Sequence, residues 1–197
     1  MIIIRNSPLM LGDLRFIIPI EMESDDSPYW TYDDFQLVVN QCDGRIGSVA
    51  LMKDRKGHYI EKKYGPRVFG FTCIQFVENF FRFKGKVILI DKLVVDKDFR
   101  RQGIGTALLT SVISLVTENM PLIAFPVRMD NVEGQLFLRD CVYGSKKIDD
   151  PNFNLYNFHH CGFIRNYFSN GETASVFLYK KSPFKMLTYQ GENPPVS

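Results

Sequence analysis

The sequence predicts one domain of the α/β class, with α+β character, organised around a central sheet. A chain of 197 residues is long enough to bury a single core of ordinary size. Short apolar runs of strand length alternate with segments whose apolar residues recur at helical spacing. The clearest junction is LVVDKDFRRQGIGTALL at 93–109, where an aliphatic run passes through a charged turn with two glycines into a helical pattern. We therefore assign residues 1–181 to one domain and 182–197 to a tail with little apolar content.

The N-terminal third predicts a strand and two helices. IIIR at 2–5 has strand character, and LMLGDLRFIIPIEM at 9–22 has helical apolar spacing in spite of Pro19. In SPYWTYDDFQLVVNQ, Thr31 is placed to cap a helix whose first turn is acidic. The segment 43–64 is less legible, because IGSVALM and HYIEKK each fit a second strand.

The middle of the chain predicts the centre of the sheet. RVFGFTCIQFV and KGKVILIDKLVVD are apolar on both faces, which indicates a buried antiparallel pair of strands. GIGTALLTSVISLVTEN predicts an amphipathic helix that ends before Pro121, and PLIAFPVRM predicts a fifth strand.

The C-terminal third predicts a surface insertion, a short helix and a hairpin. Residues 140–154 are polar and rich in turn formers, which is typical of an insertion at the surface. LYNFHHCGF at 155–163 predicts a helix closed by Gly162. FIRNYF and TASVFLY then predict the two strands of a hairpin around SNGE.

The composition excludes several classes of function. Hydrophobic residues make up 45% of the chain, and no apolar run is long enough to cross a bilayer. The N-terminus MIIIRNSPLMLGD lacks the layout of a secretion signal, so we expect a cytoplasmic protein. A formal net charge of +2 gives no strong field, which argues against nucleic acid or an anionic membrane as a partner.

No metal site is predicted. The four cysteines are far apart and form no C-x-x-C pair, so we expect free thiols that pack as small apolar residues: Cys42, Cys73, Cys141 and Cys161. His159 and His160 are adjacent, which makes them point apart on a helix, and no further ligands stand at metal spacing. A structural role is the favoured interpretation of both histidines.

The turn between the strand ending at Val95 and the helix beginning near Gly103 is suited to bind an anion. Backbone N–H groups at a helix start are free and lie at the positive end of the helix dipole. Gly103 and Gly105 allow a phosphate to approach the main chain, and Arg100 and Arg101 add charged donors. A diphosphate is the natural ligand. The spacing matches neither the P-loop nor the dinucleotide fingerprint, which disfavours ATP and NAD, and a helix that is merely glycine-rich at its start is the alternative.

The same stretch resembles motif A of the GNAT superfamily of acetyl-CoA-dependent N-acetyltransferases. That motif is a strand ending in Val, a turn, [QR]-x-x-G-x-[GA] and a helix, and Arg100, Gly103 and Gly105 occupy its fixed positions. IIIR, the two early helices, VFGF, PLIAFPVRMDN and CGF follow in the family's order over most of residues 1–180. The resemblance implies a mixed sheet of about seven strands, flanked by helices and splayed between strands 4 and 5, with acetyl-CoA as cosubstrate.

The resemblance also assigns the cosubstrate site. Main-chain N–H groups of the turn would bind the CoA pyrophosphate, the end of the strand would bind the pantetheine arm, and the N–H of Val95 would face the acetyl oxygen. The residues assigned to CoA in this way are Leu93, Val94, Val95, Arg100, Arg101, Gln102, Gly103, Ile104, Gly105, Thr106 and Asn131.

The C-terminal hairpin is similar to that of ribosomal-protein-alanine acetyltransferases and other protein N-terminal acetyltransferases. In GFIRNYFSNGETASVFLYK, Tyr167 takes the substrate-binding position of a hairpin that covers the peptide. SPYWTYDDF resembles the PW and helix near the start of that subgroup, although an N-capped helix with aromatic packing explains it equally well. The resemblance implies transfer of an acetyl group to a primary amine, such as a protein N-terminus.

Two positions depart from the family pattern for proton transfer. Pro126 stands where these enzymes place a Glu or His base, and Phe158 fills the slot of the tyrosine that serves as acid. Tyr156, two residues earlier, is the phenol we assign in its place, with a packed surface tyrosine as the alternative.

Asp91 is the base that we assign. It lies four residues before the end of an apolar strand, so its charge requires either a cleft or a structural ion pair with Lys92 or Arg128. Glu78 and Glu133 are weaker options.

Other functions stay open at this point. The acceptor is a protein N-terminus or a small amine such as a polyamine, an amino acid or an aminoglycoside. The changes at Pro126 and Phe158 also fit a non-catalytic acyl-CoA-binding module. A nucleic-acid binder has only the local cluster of Lys97, Arg100 and Arg101 in its favour. We expect a monomer or a homodimer.

Overall fold

The computed structural model describes residues 1–5, 9–24, 30–62, 65–120, 122–143 and 158–180. Within them the main sheet has seven strands: β1 (Ile2–Arg5), β2 (Arg45–Met52), β3 (Val68–Phe80), β4 (Phe83–Val95), β5 (Leu122–Arg128), β6 (Phe158–Ile164) and β7 (Ala174–Lys180). The helices are α1 (Leu11–Met22), α2 (Tyr32–Val39), α3 (Ile104–Ile113) and α4 (Val132–Tyr143). Short 3-10 turns cover Cys42–Gly44 and Lys97–Phe99, and Glu61–Lys62 pairs with Gly65–Pro66 outside the main sheet.

The sheet is mixed, as predicted. Its strand order is β1-β2-β3-β4-β5-β7-β6. Every neighbouring pair is antiparallel except β4 and β5, which are parallel. Parallel neighbours need a crossover connection, and α3 lies in that connection. The predicted antiparallel pair of long strands is β3 with β4.

Helices cover both faces of the sheet. On one face α1 and α2 pack against β2 and β3 through Leu14, Ile17, Phe35, Val38, Val49 and Phe71. On the other face α3 and α4 pack against β4 and β5 through Leu109, Val112, Leu138, Ile88, Ile90 and Ile123. Burial of these two apolar clusters is the main stabilising contribution to the fold. Among the described residues, no helix has the length and apolar content needed to cross a membrane.

Both predicted N-terminal helices are confirmed. The Thr31 hydroxyl accepts a hydrogen bond from the Asp34 N–H at 3.3 Å, and the Asp34 carboxylate accepts one from the Thr31 N–H at 2.7 Å. This reciprocal capping box fixes the start of α2. Pro19 lies inside α1, which nevertheless continues to Met22. The helix loses one backbone hydrogen bond there, and its buried apolar face compensates.

Strands β4 and β5 diverge in the middle of the sheet. Their parallel register ends at the pair Leu89 and Ala124. Strand β4 nevertheless continues to Val95 and β5 continues to Arg128. The two strand ends therefore leave a gap between them, which confirms the predicted splay between strands 4 and 5.

Pro126 borders this gap. On the far side of β5, the Met129 N–H donates to the Thr173 carbonyl at 3.3 Å, and the register pairs Pro126 with Val176 of β7. Backbone groups alternate in direction along an antiparallel ladder, so Pro126, three residues before Met129, directs its nitrogen and carbonyl away from β7 and into the gap. The missing N–H of proline therefore costs no ladder hydrogen bond at this position.

The structure resolves one open choice and corrects two predictions, one of which is the hairpin strand FIRNYF, because only its first two residues, Phe163 and Ile164, lie in a strand. The second strand is formed by IGSVALM within β2, whereas HYIEKK contributes only Glu61–Lys62 to the separate two-residue pair. The prediction of a helix at 155–163 is wrong from Phe158 onward, because this segment is strand β6. Pairing with β7 overrides the local helical spacing, and the ladder shifts register at Gly162, whose φ of +128° suits glycine.

Helix α4 was not predicted, and it changes the insertion at 140–154. The helix runs to Tyr143, so the first four residues of that segment are helical. Its start is capped by the Asn131 side chain, which accepts a hydrogen bond from the Gly134 N–H at 2.7 Å. Residues 144–157 lie outside the described residues, and so does the tail at 182–197.

Candidate active site

A cleft of about 460 Å³ occupies the gap between the diverging strands. Strand β4 contributes Asp91, Lys92 and Leu93 to its walls, and β5 with the start of α4 contributes Phe125, Pro126, Val127, Arg128, Asn131, Gly134 and Phe137. Trp30 and the hairpin residues Tyr167, Phe168 and Ser169 complete the lining. The sequence-predicted residues Asp91, Leu93, Asn131 and Tyr167 therefore meet in one cleft.

The turn from β4 to α3 is braced from below. Asp96 is buried, and its carboxylate accepts hydrogen bonds from the Asp98 N–H at 3.1 Å and from Arg67 at 2.7 Å. The Arg67 guanidinium also lies over the rings of Phe69 and Phe99, at 5.0 and 4.7 Å from their centroids. These contacts fix the path of the chain before the glycines.

The glycine turn has the backbone conformation that the sequence indicates. Gly103 caps α3 with a φ of +82°, and Arg101 also lies in the left-handed region with a φ of +61°. Gly105 is the first-turn residue at which a side chain would meet a neighbour, because a Cβ there would lie 3.4 Å from the Phe137 ring. The N–H groups of the first turn of α3 therefore lie beside a surface that has no side chain at Gly103 or Gly105 and is close to the Phe137 ring.

The remaining predicted turn residues differ in what they can offer. The Arg100 guanidinium contacts Glu133 at 3.1 Å and donates to the Val95 carbonyl at 3.4 Å. The side chain of Ile104 is buried in the core, so only its backbone faces the turn. Gln102 is exposed, and Thr106 is partly exposed.

The end of β4 presents backbone groups to the gap. The Asp96 N–H donates to the Phe69 carbonyl of β3 at 2.9 Å, and the register pairs Val95 with Gly70. Because directions alternate along the ladder, Val95 and Leu93 turn their N–H and carbonyl groups away from β3 and toward the missing partner strand. Val94 does the opposite, and its side chain is buried in the core.

Asp91 lies at an irregularity of β4. The register pairs Lys92 with Cys73 and Ile90 with Ile74, so Asp91 has no partner on β3 and bulges from the strand. Its Oδ2 is buried and has no hydrogen-bond partner. Burial raises the pKa of Asp91 to about 6, against the opposing effect of Arg45 and Lys92.

The structure favours the cleft over the ion pair as the reason for this charge. Lys92 contacts Glu21 at 2.7 Å, and Arg128 contacts Asp130 at 2.7 Å. Arg45 and Lys92 still lower the pKa of Asp91, but Asp91 lines the cleft and its Oδ2 has no hydrogen-bond partner, which favours the cleft.

Tyr167 lies on the hairpin that joins β6 to β7. Its ring packs edge-on against Phe80 and Phe168, with centroids 6.2 and 5.0 Å away. Burial, with the negative charge of Asp91 as a second cause, raises the pKa of the phenol well above its usual range. Tyr167 therefore stays protonated and offers an O–H donor in the cleft that also holds Asp91.

Several predicted residues do not contribute to this cleft. Tyr156 lies outside the described residues. Phe158 is buried in the core, and neither Glu78 nor Glu133 lines the cleft. The histidines lie on β6, where the His160 ring packs against Phe163 and Phe177. Across the described part of the chain, no group of three or more His, Cys, Asp or Glu residues is arranged to hold a metal ion.

Sequence reasoning missed some of the lining. The sequence indicates only possible ion pairs for Lys92 and Arg128 and an aromatic motif for Trp30. It gives no indication that Phe137 and Phe168 line the cleft. The signal that could have identified Phe137 is the Asn131 cap followed by an apolar spacing of three to four residues, which is the mark of a helix start beside the gap.

A sequence profile of the acetyltransferase (GNAT) family matches residues 19–143, which is more than half of the chain. The protein belongs to the GNAT family of acetyltransferases. It is accordingly an acyltransferase whose cosubstrate is acetyl-CoA. A search of curated protein sequences gives no match.

Several solved structures share this fold. NAA60 of Arabidopsis thaliana in complex with a bisubstrate analogue has a TM-score of 0.68 at 16% identity, over 91% of this chain and 98% of that one. The ribosomal-protein-S18-alanine N-acetyltransferase of Escherichia coli has a TM-score of 0.58 at 21% identity, over 96% and 99%. Ard1 of Thermoplasma volcanium has a TM-score of 0.58 at 24% identity, over 91% and 97%.

The β4–α3 turn, whose residues at 100–106 do not line the cleft, and the cleft itself together fit acetyl-CoA. The first turn of α3 offers free N–H groups and a surface that a Cβ at Gly105 would narrow, which suits a pyrophosphate. The backbone groups of Leu93 and the N–H of Val95 face the gap without a partner strand, as an extended amide-containing arm requires, whereas the Val95 carbonyl accepts from Arg100. The apolar side chains of Phe125 and Phe137 line the same cleft.

Proposed function

We propose that this GNAT enzyme transfers the acetyl group of acetyl-CoA to the free α-amine of a protein or peptide N-terminus. The observation that carries the proposal is Asp91, whose Oδ2 is buried without a hydrogen-bond partner in a residue that lines the cleft. A carboxylate in that state is ready to accept a proton from an amine bound in front of it.

The first step is to hold the cosubstrate. In this proposal the backbone N–H groups at 101–106 bind the pyrophosphate, with Arg100 and Arg101 as charged donors. Leu93 and Val95 bind the pantetheine arm through their outward-facing backbone, and Asn131 borders the arm from the start of α4. Bound acetyl-CoA supplies a thioester whose carbonyl carbon is attacked by the amine.

The second step is to remove a proton from the acceptor. Asp91 accepts it at Oδ2, and the Val95 N–H stabilises the negative charge that develops on the acetyl oxygen. The phenol that returns a proton to the departing sulfur is assigned to Tyr156. Tyr167 donates a hydrogen bond to the acceptor from the hairpin.

An α-amine is easier to deprotonate than an alkyl amine because its own pKa is lower, whichever base accepts the proton. Moving a proton from a typical α-ammonium, with a pKa of about 8, to a carboxylate with a pKa of about 6 costs about 3 kcal/mol. The same transfer from a lysine-like or polyamine nitrogen, with a pKa of about 10.4, costs about 6 kcal/mol. The difference of about 3 kcal/mol corresponds to more than a hundredfold in rate when proton removal limits turnover.

The experiment is a comparison of two acceptor panels. Unblocked peptides that differ in their first two residues are assayed beside polyamines, amino acids and aminoglycosides, with acetylated products identified by mass spectrometry. We expect kcat/KM for the best peptide to exceed that for every small amine. Selective turnover of a small amine would reject the N-terminal acceptor and keep the enzyme.

A non-catalytic acyl-CoA-binding module is the competing function, because Pro126 and Phe158 replace the usual proton-transfer residues. Turnover of any amine that falls in the variant Asp91→Asn decides against that function. Binding of acetyl-CoA without turnover in either panel decides for it.

A further inference from the structure

Each of the two diverging strands contributes one cationic side chain to the cleft, and each of these side chains forms an ion pair with a glutamate. Lys92 extends from β4 and contacts Glu21, whereas Arg128 extends from β5 and contacts Glu172. Both cations line the cleft, and both are largely buried, with 12% and 11% of their side chains exposed. The two pairs are formed with different parts of the chain, namely α1 and the β6–β7 hairpin.

The Lys92–Glu21 pair on the β4 side also contacts Trp30. The Oε1 of Glu21 lies 2.7 Å from the Lys92 Nζ and accepts a hydrogen bond from the Trp30 N–H at 3.1 Å. The Lys92 ammonium also lies 5.9 Å from the centroid of the Trp30 ring. One carboxylate oxygen therefore joins the strand to the residue that forms this wall of the cleft.

The Arg128–Glu172 pair on the β5 side is connected to the aromatic residues of the hairpin through the backbone of Glu172. The Arg128 guanidinium faces the Glu172 carboxylate with two contacts, 2.8 Å from Nη2 to Oε1 and 2.6 Å from Nε to Oε2. The backbone carbonyl of Glu172 accepts hydrogen bonds from the N–H groups of Tyr167 and Phe168, at 2.9 and 3.3 Å. Both of these residues line the cleft.

A contribution to the free energy of folding does not by itself explain why these buried ion pairs are present. Removing charges from water costs several kcal/mol per ion, and apolar residues of the same volume often stabilise a core as well or better. Glu21 is completely inaccessible, and its Oε2 has no hydrogen-bond partner, so this carboxylate is only partly satisfied. What such a pair provides is a fixed position for the groups that it joins.

We propose that Glu21 and Glu172 are positioning residues that hold the two walls of the acceptor opening, Trp30 on one side and Tyr167 with Phe168 on the other. The inference rests on the proposed function for the identity of the acceptor. Asp91 lines the same cleft as both walls, on the bulge of β4 next to Lys92. The acceptor chain enters between the two aromatic walls, and its amine reaches Asp91 only while both walls keep their places.

The sequence provides a direct probe, because Trp30 is the single tryptophan of the chain. In Glu21→Gln we expect a red shift of the Trp30 emission and at least twofold greater quenching by acrylamide, since the wall is released. The matched control is Glu23→Gln, which removes an exposed partner of Lys97 two residues away and leaves both readouts unchanged. Hydrogen exchange gives the equivalent readout for Glu172→Gln, in which the amides of Tyr167 and Phe168 should exchange faster than in the control Glu118→Gln.

The kinetic expectation separates positioning from catalysis. Each of Glu21→Gln and Glu172→Gln should raise KM for the best peptide about tenfold, which is about 1.4 kcal/mol. The Kd for acetyl-CoA should change by less than about twofold, because the α3 turn is intact. The double variant Glu21→Leu with Lys92→Leu removes both charges, so it should regain thermal stability while KM stays high; this keeps the test valid if Glu21→Gln folds poorly.

The outcomes distinguish the two proposals. Unchanged Trp30 quenching, hydrogen exchange and KM in the glutamine variants would overturn the positioning role while leaving the enzyme function intact. A wild-type protein that acetylates no amine would overturn the proposed function. In that case the quenching and exchange measurements would still test whether Glu21 and Glu172 hold the two walls in place.

Discussion

The two halves of the proposed active site, the β4–α3 turn and the acceptor cleft, are built in different ways. The half at the β4–α3 turn is made of backbone: left-handed conformations at Arg101 and Gly103, a bare first helical turn, and a strand end whose N–H and carbonyl groups face the gap. The acceptor half is made of side chains, with Asp91 on a bulge and Tyr167 on a hairpin. A backbone site is specified by a few residues close together in sequence, whereas the acceptor half gathers residues from α1, β4, β5 and the hairpin.

This difference explains why the cosubstrate half follows the family pattern closely and the acceptor half departs from it. Most substitutions leave main-chain N–H donors in place, provided that the glycines and the contacts that stabilise the turn are kept. The acceptor half can exchange one base for another, because a carboxylate needs only burial and access to the amine. In the proposed site, Pro126 stands at the family's usual position for the base on β5, and Asp91 on the neighbouring strand takes that role.

The largest expected effect breaks the backbone half. Gly105→Glu places a side chain against the Phe137 ring and an anion at the start of α3, so acetyl-CoA should bind about 100-fold more weakly or worse, a loss of at least about 2.7 kcal/mol. Titration calorimetry measures it. The control is Gly12→Glu, in the first turn of α1, where a Cβ would meet nothing within 4 Å. Equal affinity in both variants would contradict the assignment of the pyrophosphate to this turn.

A second test removes the bracing beneath the turn. Arg67→Met breaks the pair with buried Asp96 and leaves that carboxylate with one charged partner fewer, so we expect a loss of about 2–3 kcal/mol in the free energy of unfolding. Urea denaturation at pH 7 measures the loss, with acetyl-CoA affinity measured in parallel. If the turn needs this bracing, affinity falls as well, and a destabilised protein with wild-type affinity would show that it does not.

A third test addresses the stability cost of the acceptor half. The pKa of Asp91 rises from 3.8 to about 6 on folding, so the folded state binds the proton more tightly, and the ionised carboxylate costs stability above pH 6 but not below about pH 4. Asp91→Asn should therefore stabilise the protein by about 3 kcal/mol at pH 7.5 and by less than about 1 kcal/mol at pH 4. A stability loss at pH 7.5 would show that Asp91 belongs to a structural ion pair instead.

The smallest expected effect concerns the hairpin. Tyr167→Phe removes the buried O–H donor, so KM for a peptide should rise about fivefold, about 1 kcal/mol, with the Kd for acetyl-CoA unchanged. Steady-state kinetics measure it against Tyr59→Phe, a partly exposed tyrosine that does not line the cleft. An unchanged KM would remove Tyr167 from the acceptor site.

Much of the fold could be predicted from local sequence. The apolar runs of β3 and β4, the Thr31 cap and the glycine turn each carry a short-range signal, and the structure agrees with all three. Strand β6 could not be predicted in this way, because HHC has no strand pattern of its own and is held in the sheet by pairing with β7. Helix α4 was missed because its cap, Asn131, was interpreted only as part of a binding motif.

The acceptor half shows the same limit more strongly. Asp91 was found from sequence as a charge in an apolar strand, but the bulge that turns it into the cleft depends on the register with β3. The contacts of Glu21 with Lys92 and of Glu172 with Arg128 join residues 71 and 44 positions apart, and no local pattern indicates them.

The most direct test of the account is the pH dependence of kcat/KM for acetyl transfer to a peptide, compared between the wild type and Asp91→Asn. The wild-type value should fall about tenfold per pH unit below about pH 6, as the carboxylate of Asp91 becomes protonated. Asp91→Asn should lose about 100-fold or more at pH 7.5 and should lack that limb. An Asp91→Asn enzyme with the wild-type rate, or with the limb near pH 6 unchanged, would contradict the assignment of Asp91 as the base.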